Sequence, residues 1–453
     1  MNLPNYFLAD LPTDTPLSAG LISDACQTLK KNRETFLCKR PTQSLIRILA
    51  EVARSWMEPN DPFRNLALKD GPSVTGFSRE ILQTGLDEFF AQITTENLQA
   101  LIVQEFGDLR RLDSLCSNST EEKINRAAFV RGPELLAHIT GGVIPNATLT
   151  SIILGLLTRS AQFVKCARGT SFIPRLFAHS IYEAEPKLGA CIEIAEWKGG
   201  TESLENALFA EADCVTGTGS DETLEMIRKR LPTKTRFVGY GHRVSFAYVT
   251  EEVLSGMNPQ KTLKRAAHDV VAWNQLGCLS PHVIYVESGG TISAEKFAEL
   301  LAAELDAMEK EKPRGTLTAE ESASIAYRRS FYEVRIAHSL ETKLWSSEGS
   351  TAWTVVFEND PRFQMSCLNR FIYVKAVSSV QQALEGADAV RGKVSTVGIA
   401  ATENRAEKIA NELAHWGVTR ICPLGQMQNP SLLWRHDGRP SLGDFVTWTD
   451  FEM

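Results

Sequence analysis

Apolar residues recur along this chain with two periods. Up to about residue 95 the spacing is that of amphipathic helices. Over 44–56, Leu45, Leu49 and Val52 share one face, and 77–90 repeats the pattern with Ser78 placed to cap it. From about 96 the texture changes to short apolar runs separated by helical stretches. Residues 135–139 read as a strand, 141–146 as a Gly/Pro loop, 148–160 as a helix and 162–166 as a strand. A second such step runs from the strand 190–195 through 213–221, a helix over 222–229 and a strand over 235–240. The second half repeats the alternation: strand 283–286, a helix from Ser293 to about 311, strand 394–400, helix 404–416 and the run 420–425. The tail 445–451 alternates as a last strand. Strands alternating with helices predict an α/β protein built on mainly parallel sheets. No internal repeat or low-complexity segment interrupts the pattern.

Composition narrows the function classes. Of 453 residues, 48 are Lys or Arg and 55 Asp or Glu, a formal charge of −7, which argues against nucleic acid or a membrane surface as a general partner. The longest apolar stretch, 149–157, is broken by Thr150 and Ser151 and is too short for a membrane span. The first residues lack the basic start and apolar core of a signal peptide. Nine cysteines, an odd number and never close-spaced, exclude a zinc-ribbon pattern, and the eight histidines form no HxxxH pair. A cytoplasmic protein without disulfides or structural metal is expected.

Among those cysteines Cys278 has the most suggestive setting. An amphipathic helix is expected to end at Asn274, Gly277 permits a tight turn, Pro281 bars further helix, and the apolar run 283–286 follows. A thiol at such a junction can add to a carbonyl carbon while its own backbone N–H faces the developing oxyanion. Three other constellations accompany it. The turn Gly217-Thr218-Gly219-Ser220 sits where a strand opens into a helix, a place for a phosphate, although the third glycine of GxGxxG is missing and Asp221 and Glu222 add negative charge. Lys165 and Arg168 lie at and beyond a strand's end and could hold a ribose and its 2′-phosphate, favouring NADP; two solvated cations is the plainer reading. His242, flanked by Gly239 and Gly241, could relay a proton near neutrality; His282, closer to Cys278 in sequence, is the alternative base.

At 275–282 the chain resembles the acyl-CoA reductase (LuxC) component of bacterial bioluminescence, within the aldehyde dehydrogenase superfamily. The resemblance extends to 154–165, to the turn 215–220, and to the tail 420–430 and 434–440, covering roughly residues 100–453. It implies an aldehyde dehydrogenase-like fold: N-terminal helices over 1–95, a Rossmann-type NADP-binding domain over 96–240, an α/β catalytic domain over 241–418, and a C-terminal segment over 419–453 ending in a strand of a β-flap used for oligomerisation. The flap's other ingredients are expected around 110–139. Cys278 carries over as the acyl-accepting nucleophile, Lys165 as a cofactor-ribose ligand and 217–220 as the phosphate turn. Arg168 falls where NAD-preferring relatives often have a glutamate, which fits NADPH. Two departures stand out. Hydrolytic aldehyde dehydrogenases carry a glutamate base in the stretch equivalent to 238–243; this chain has none, which agrees with a reductase and leaves His242 as the acid/base. The family tends to have an oxyanion-stabilising asparagine in the loop 141–145; this chain has Val143, with Asn146 nearby.

The expected activity is NADPH-dependent reduction of an acyl-CoA, or another acyl thioester, to an aldehyde by a homo-oligomer. CoA is the leaving group, and an acyl-protein synthetase or acyl carrier protein is a potential partner. The alternatives are an aldehyde-oxidising NAD(P)-dependent dehydrogenase and a non-catalytic cofactor-binding subunit.

Overall fold

The computed structural model describes residues 3–12 and 15–452. The chain divides into two compact units, neither of which is one continuous stretch. The first comprises residues up to Thr75, Leu86–Gly241 and the segment from Ser431 onward; the second comprises Gly76–Gly85 and His242–Pro430.

In the first unit, strand β1 (Arg126–Arg131) precedes five strands that form one sheet: β2 (Leu135–Ile139), β3 (Ala161–Cys166), β4 (Ile192–Glu196), β5 (Cys214–Thr218) and β6 (Arg236–Tyr240). The order is β4-β3-β2-β5-β6 and every pair is parallel. All residues of β2 and β3 are buried, as expected of parallel strands covered on both faces. The N-terminal helices do more than add a layer. Ile22, Cys26 and Leu29, from the helix Ala19–Asn32, join Ala137, Phe163 and Leu208 in one core.

One face of this sheet carries a buried polar row. Gln162 Nε2 donates to the Ile152 carbonyl (3.0 Å), so its Oε1 is left to accept from His138 Nε2 (3.0 Å), and His138 Nδ1 accepts from the Thr216 hydroxyl (2.7 Å). Burial pushes this neutral imidazole down to about 4. The unfolded chain takes up the same proton near 6.5, so between those values it binds more protons than the fold, and stability falls as pH falls. Urea unfolding of the wild type and His138→Gln should therefore show a stability difference that shifts against the wild type by about 3 kcal/mol from pH 7 to pH 4. An unchanged difference would mean that His138 is not held neutral. Glu193 has the opposite slope. Desolvation raises it to about 8, so its contribution fades as pH rises through that value.

The second unit holds β7 (Val244–Val249), β8 (Pro281–Glu287), β9 (Thr342–Ser346), β10 (Thr354–Glu358), β11 (Phe371–Val377), β12 (Val394–Ala400) and β13 (Arg420–Pro423), in the order β13-β12-β7-β8-β11-β10-β9. Only β9, on one edge, runs antiparallel to its neighbour. Phe246, Tyr248, Tyr285, Val356 and Tyr373 form the core on one face. The strands β9 to β11 were not among those expected. β10 and β11 are largely apolar runs, and within them Lys375, fully buried, is ion-paired to the equally buried Glu358 at 3.0 Å.

The last strand, β14 (Thr447–Glu452), returns to the first unit and pairs antiparallel with β1, from Arg126↔Glu452 to Arg131↔Thr447. Every residue of β14 is exposed.

Candidate active site

Cys278 is the one exposed thiol among the nine cysteines. The local geometry differs from the expected helix end. The preceding helix stops at Val271, and Trp273, Asn274 and Gln275 follow with φ of 49°, 53° and 64°. Three consecutive non-glycine residues in the left-handed region cost on the order of 1–3 kcal/mol each, so the surroundings must hold them. Gln275 Nε2 donates to the carbonyls of Pro281 (2.8 Å) and Phe371 (2.9 Å). Asn274 Nδ2 donates to the Arg314 carbonyl (2.8 Å), and its Oδ1 accepts from Arg370 Nε (3.2 Å) and Nη2 (3.0 Å). Trp273 lies edge-on to Phe77 at 5.2 Å. Arg370 closes a second left-handed run, Leu368, Asn369 and Arg370, with φ of 61°, 56° and 65°. It also donates to Glu309 and to the Lys312 carbonyl. Two strained turns therefore brace each other through one amide and one guanidinium.

The peptide that follows Cys278 is fixed as well. Ser245 Oγ on β7 donates to the Cys278 carbonyl (2.7 Å) and accepts from the Thr396 N–H (3.1 Å). Gly277 opens the expected tight turn, its carbonyl accepting from the Ser280 N–H (2.9 Å), without a left-handed φ. A Cβ at Gly277 would lie 2.3 Å from Gln428 Nε2, so any side chain there would displace that amide. Gln428 Nε2 also donates to Ser280 Oγ. Arg420, half-buried on β13, lies within electrostatic reach of Cys278. Burial lowers its guanidinium, and Cys422, Asp269 and Cys278 pull it back up.

His242 is exposed and enters β7 just ahead of Ser245, whose register partner across β7–β8 is Pro281. His242 and Cys278 thus approach neighbouring strands from the same end of the sheet. His282 has a different role. Its Nδ1 accepts from the Ser366 N–H (3.1 Å), and burial, with His242 adding, lowers it to about 4. It is a buried, neutral histidine that braces the 366 loop.

In the first unit the cofactor candidates share the carboxyl edge of the sheet. Lys165 on β3 and Gly217 on β5 both pair with Ile139 on β2, one on each side. That places them two strand spacings apart, roughly 10 Å. Lys165 is not solvated. It is buried, its ammonium is 5.9 Å from the Trp197 ring centroid, and that ammonium makes no hydrogen bond among the described residues. Burial lowers its ammonium, and Glu205 is the first of the charges pulling it back. Arg168 is exposed on the loop after β3. Glu196, at the end of β4, escaped the sequence reading. Its oxygens accept from the N–H groups of Gly169 (2.7 Å) and Ser171 (3.3 Å), so it shapes the Arg168 loop. In the glycine turn, Ser220 caps the helix Asp221–Arg230 by accepting from the Thr223 N–H, and the Gly219 N–H is spent on the Tyr240 carbonyl. Gly141 crosses this turn so closely that a Cβ would lie 2.7 Å from the Thr218 carbonyl oxygen. The two loops therefore meet where the strand order reverses, the switch point at which open α/β sheets bind ligands. Val143 is exposed and has no side-chain donor.

A five-stranded sheet in Rossmann order followed by a seven-stranded unit with a lone exposed thiol defines the aldehyde dehydrogenase fold. Solved structures similar to this chain bear that out. The NADP complex of glyceraldehyde-3-phosphate dehydrogenase GapN from Methanocaldococcus jannaschii superposes with TM-score 0.68 at 15% identity, over 96% of this chain and 95% of that one. A benzaldehyde dehydrogenase from Corynebacterium glutamicum gives 0.67 at 11%, over 96% and 91%. The bifunctional proline utilization A protein gives 0.70 at 16%, over 97% of this chain but only 45% of that one. Within that fold the chain belongs to the acyl-CoA reductase (LuxC) family, whose sequence profile matches residues 37–448. Its relatives include long-chain acyl-protein thioester reductase 2 of Photobacterium leiognathi, 23% identical over 91% of this chain and 83% of that protein. The long-chain acyl-protein thioester reductase of Vibrio harveyi is 22% identical over 66% of this chain, and the match spans 59% of that protein.

Proposed function

We propose that this protein reduces an acyl thioester, with CoA as the leaving group, to the aldehyde, using NADPH. The observation that carries the reading is the exposed Cys278 on a braced, left-handed turn in a chain with no carboxylate over 238–243. Cys278 attacks the thioester carbonyl, the carbon–sulfur bond to CoA breaks, and His242 gives the departing thiolate its proton. The acyl group then waits as a Cys278 thioester, with no carboxylate in that segment to activate water against it. When bound, NADPH supplies the hydride that takes the acyl carbon to the aldehyde level. The carbon–sulfur bond to Cys278 then breaks, restoring the thiolate.

The residues of the first unit fit the cofactor. Lys165 offers an ammonium without a hydrogen-bond partner among the described residues at the sheet edge, suited to ribose hydroxyls. Arg168 is exposed beside it, suited to a 2′-phosphate, while Glu196 is occupied by two backbone donors. Gly217, Thr218, Gly219 and Ser220 form the turn that receives the pyrophosphate. Arg168→Glu should lower kcat/KM for NADPH by on the order of ten- to hundred-fold and leave NADH use nearly unchanged, the worth of one charge-assisted contact. Equal loss with both cofactors would remove Arg168 from phosphate recognition.

The exposed β14 supports pairing between copies of the chain. An acyl-protein synthetase or acyl carrier protein is an alternative acyl donor to CoA. The function is tested with acyl-CoAs of graded chain length plus NADPH, following aldehyde and free thiol together. One aldehyde per NADPH is expected. Oxidation of added aldehyde to acid as the faster direction, or no turnover with any acyl thioester, would sink the reading.

A further inference from the structure

We propose that the carboxamide of Gln428 donates a hydrogen bond to the acyl oxygen at Cys278, supplying the oxyanion donor that Val143 cannot. This rests on the reading of Cys278 as the acyl acceptor. Gln428 is remote from Cys278 in sequence, yet its amide touches both flanks of the nucleophile. On one side it lies against the bare α carbon of Gly277, where a Cβ would be 2.3 Å from Nε2 and 2.8 Å from Oε1. On the other it donates to Ser280 Oγ. A primary amide has two N–H hydrogens, and Ser280 takes one, which leaves one for a ligand. Gln428 is only half-buried, so a substrate oxygen can reach it.

The turn bearing Gln428 is held from two directions. Asp269, itself buried, accepts from the N–H groups of Gly425 (2.5 Å) and Met427 (3.0 Å). Arg420 donates to the carbonyls of Gln426 (2.8 Å) and Met427 (2.6 Å). A donor fixed in this way needs no reorganisation as charge develops, and that is the condition under which an oxyanion contact is worth most. A carboxylate and a guanidinium spent on one short turn beside the nucleophile are well explained by a turn that must present a group with precision. The competing role for Gln428 is a brace that only supports the Gly277 turn.

The test compares wild type, Gln428→Ala, Gln428→Glu and Gln428→Asn by two reactions of the same sulfur. Acylation by palmitoyl-CoA without cofactor, followed by intact mass, passes through an oxyanion. Alkylation by iodoacetamide does not. Acylation should slow about 100-fold in the alanine variant and at least as much in the glutamate variant, which presents an acceptor, with partial retention in the asparagine variant. Alkylation should stay within about three-fold of wild type in all of them. Acylation at the wild-type rate in Gln428→Ala overturns the proposal, and so does a parallel loss of alkylation, which would make Gln428 a brace. If the wild type itself gains no acyl adduct, the reading of Cys278 fails and this inference with it. A wild-type adduct with an indifferent Gln428 refutes this inference alone.

Discussion

Cys278→Ala should abolish the proposed acyl adduct and lower reductase turnover by at least about 10⁴-fold, in line with removal of a covalent nucleophile elsewhere. The protein should remain folded. Cys278 is exposed, so removal of the thiol belongs with surface substitutions that change stability by about 0.5 kcal/mol or less. Intact mass after incubation with acyl-CoA, together with a urea unfolding curve, separates the two effects. Persistence of the adduct in the alanine variant would move the chemistry to another cysteine. The others are less well placed: Cys26, Cys166, Cys191, Cys214 and Cys422 are buried, and burial pushes each thiol up to about 12, while Cys38, Cys116 and Cys367 are half-buried and burial raises their thiols too, that of Cys367 to about 11. A thiol held so high is a poor nucleophile at neutral pH.

The second large effect lies outside the reacting atoms. Arg370→Met leaves Asn274 Oδ1 and the Lys312 carbonyl without their Arg370 donor, and leaves Glu309 with the Arg314 N–H alone, in a place where the guanidinium itself is fully buried. Burial pushes Arg370 down to about 10 with Glu309 pulling it back, the signature of a charge kept by its partner. Each buried acceptor left unsatisfied costs about 1–3 kcal/mol, and the half-buried Glu309 adds less. The loss should appear as a lower urea midpoint. In whatever remains folded, Cys278 should also acylate more slowly, because Asn274 no longer ties the two left-handed runs together. Arg370→Lys keeps the charge but not the planar fork and should fall between the two. Wild-type stability and acylation in Arg370→Met would show that the turn at 273–275 holds itself.

These two positions differ in how legible they were. Cys278 stood out because glycine, proline and an apolar strand bracket it within a few residues. Arg370 did not, because its partners at 274, 309 and 312 come together only in the fold. Lys165 was legible as a residue and misjudged in setting. A strand-end lysine is usually solvated, and only the sheet, with Trp197 beside it, buries this one. Gln428 lay inside a tail motif of evident distinctiveness but without a role, since nothing local connects it to Ser280, 148 positions away. Glu196 and Asp269 were silent for the same reason: a carboxylate that accepts only backbone N–H groups leaves no signature of spacing.

Hydrophobic period alone determined the alternation of strands and helices, the parallel character of the sheets, and several boundaries, such as β12 at Val394–Ala400 and the Ser293 cap of Ala294–Glu311. These are consequences of burying one face of a local element, and the local residues encode them. Tertiary structure decided the rest: three bulky residues in a row with positive φ, a lysine–glutamate pair buried between neighbouring strands, and the approach of Gln428 to Gly277. Each is locally unfavourable and persists only because contacts from distant segments outweigh its cost. Such contacts gather around Cys278: the thiol stands out in the sequence because its neighbours are local, and the turn and partners around it do not, because theirs are distant.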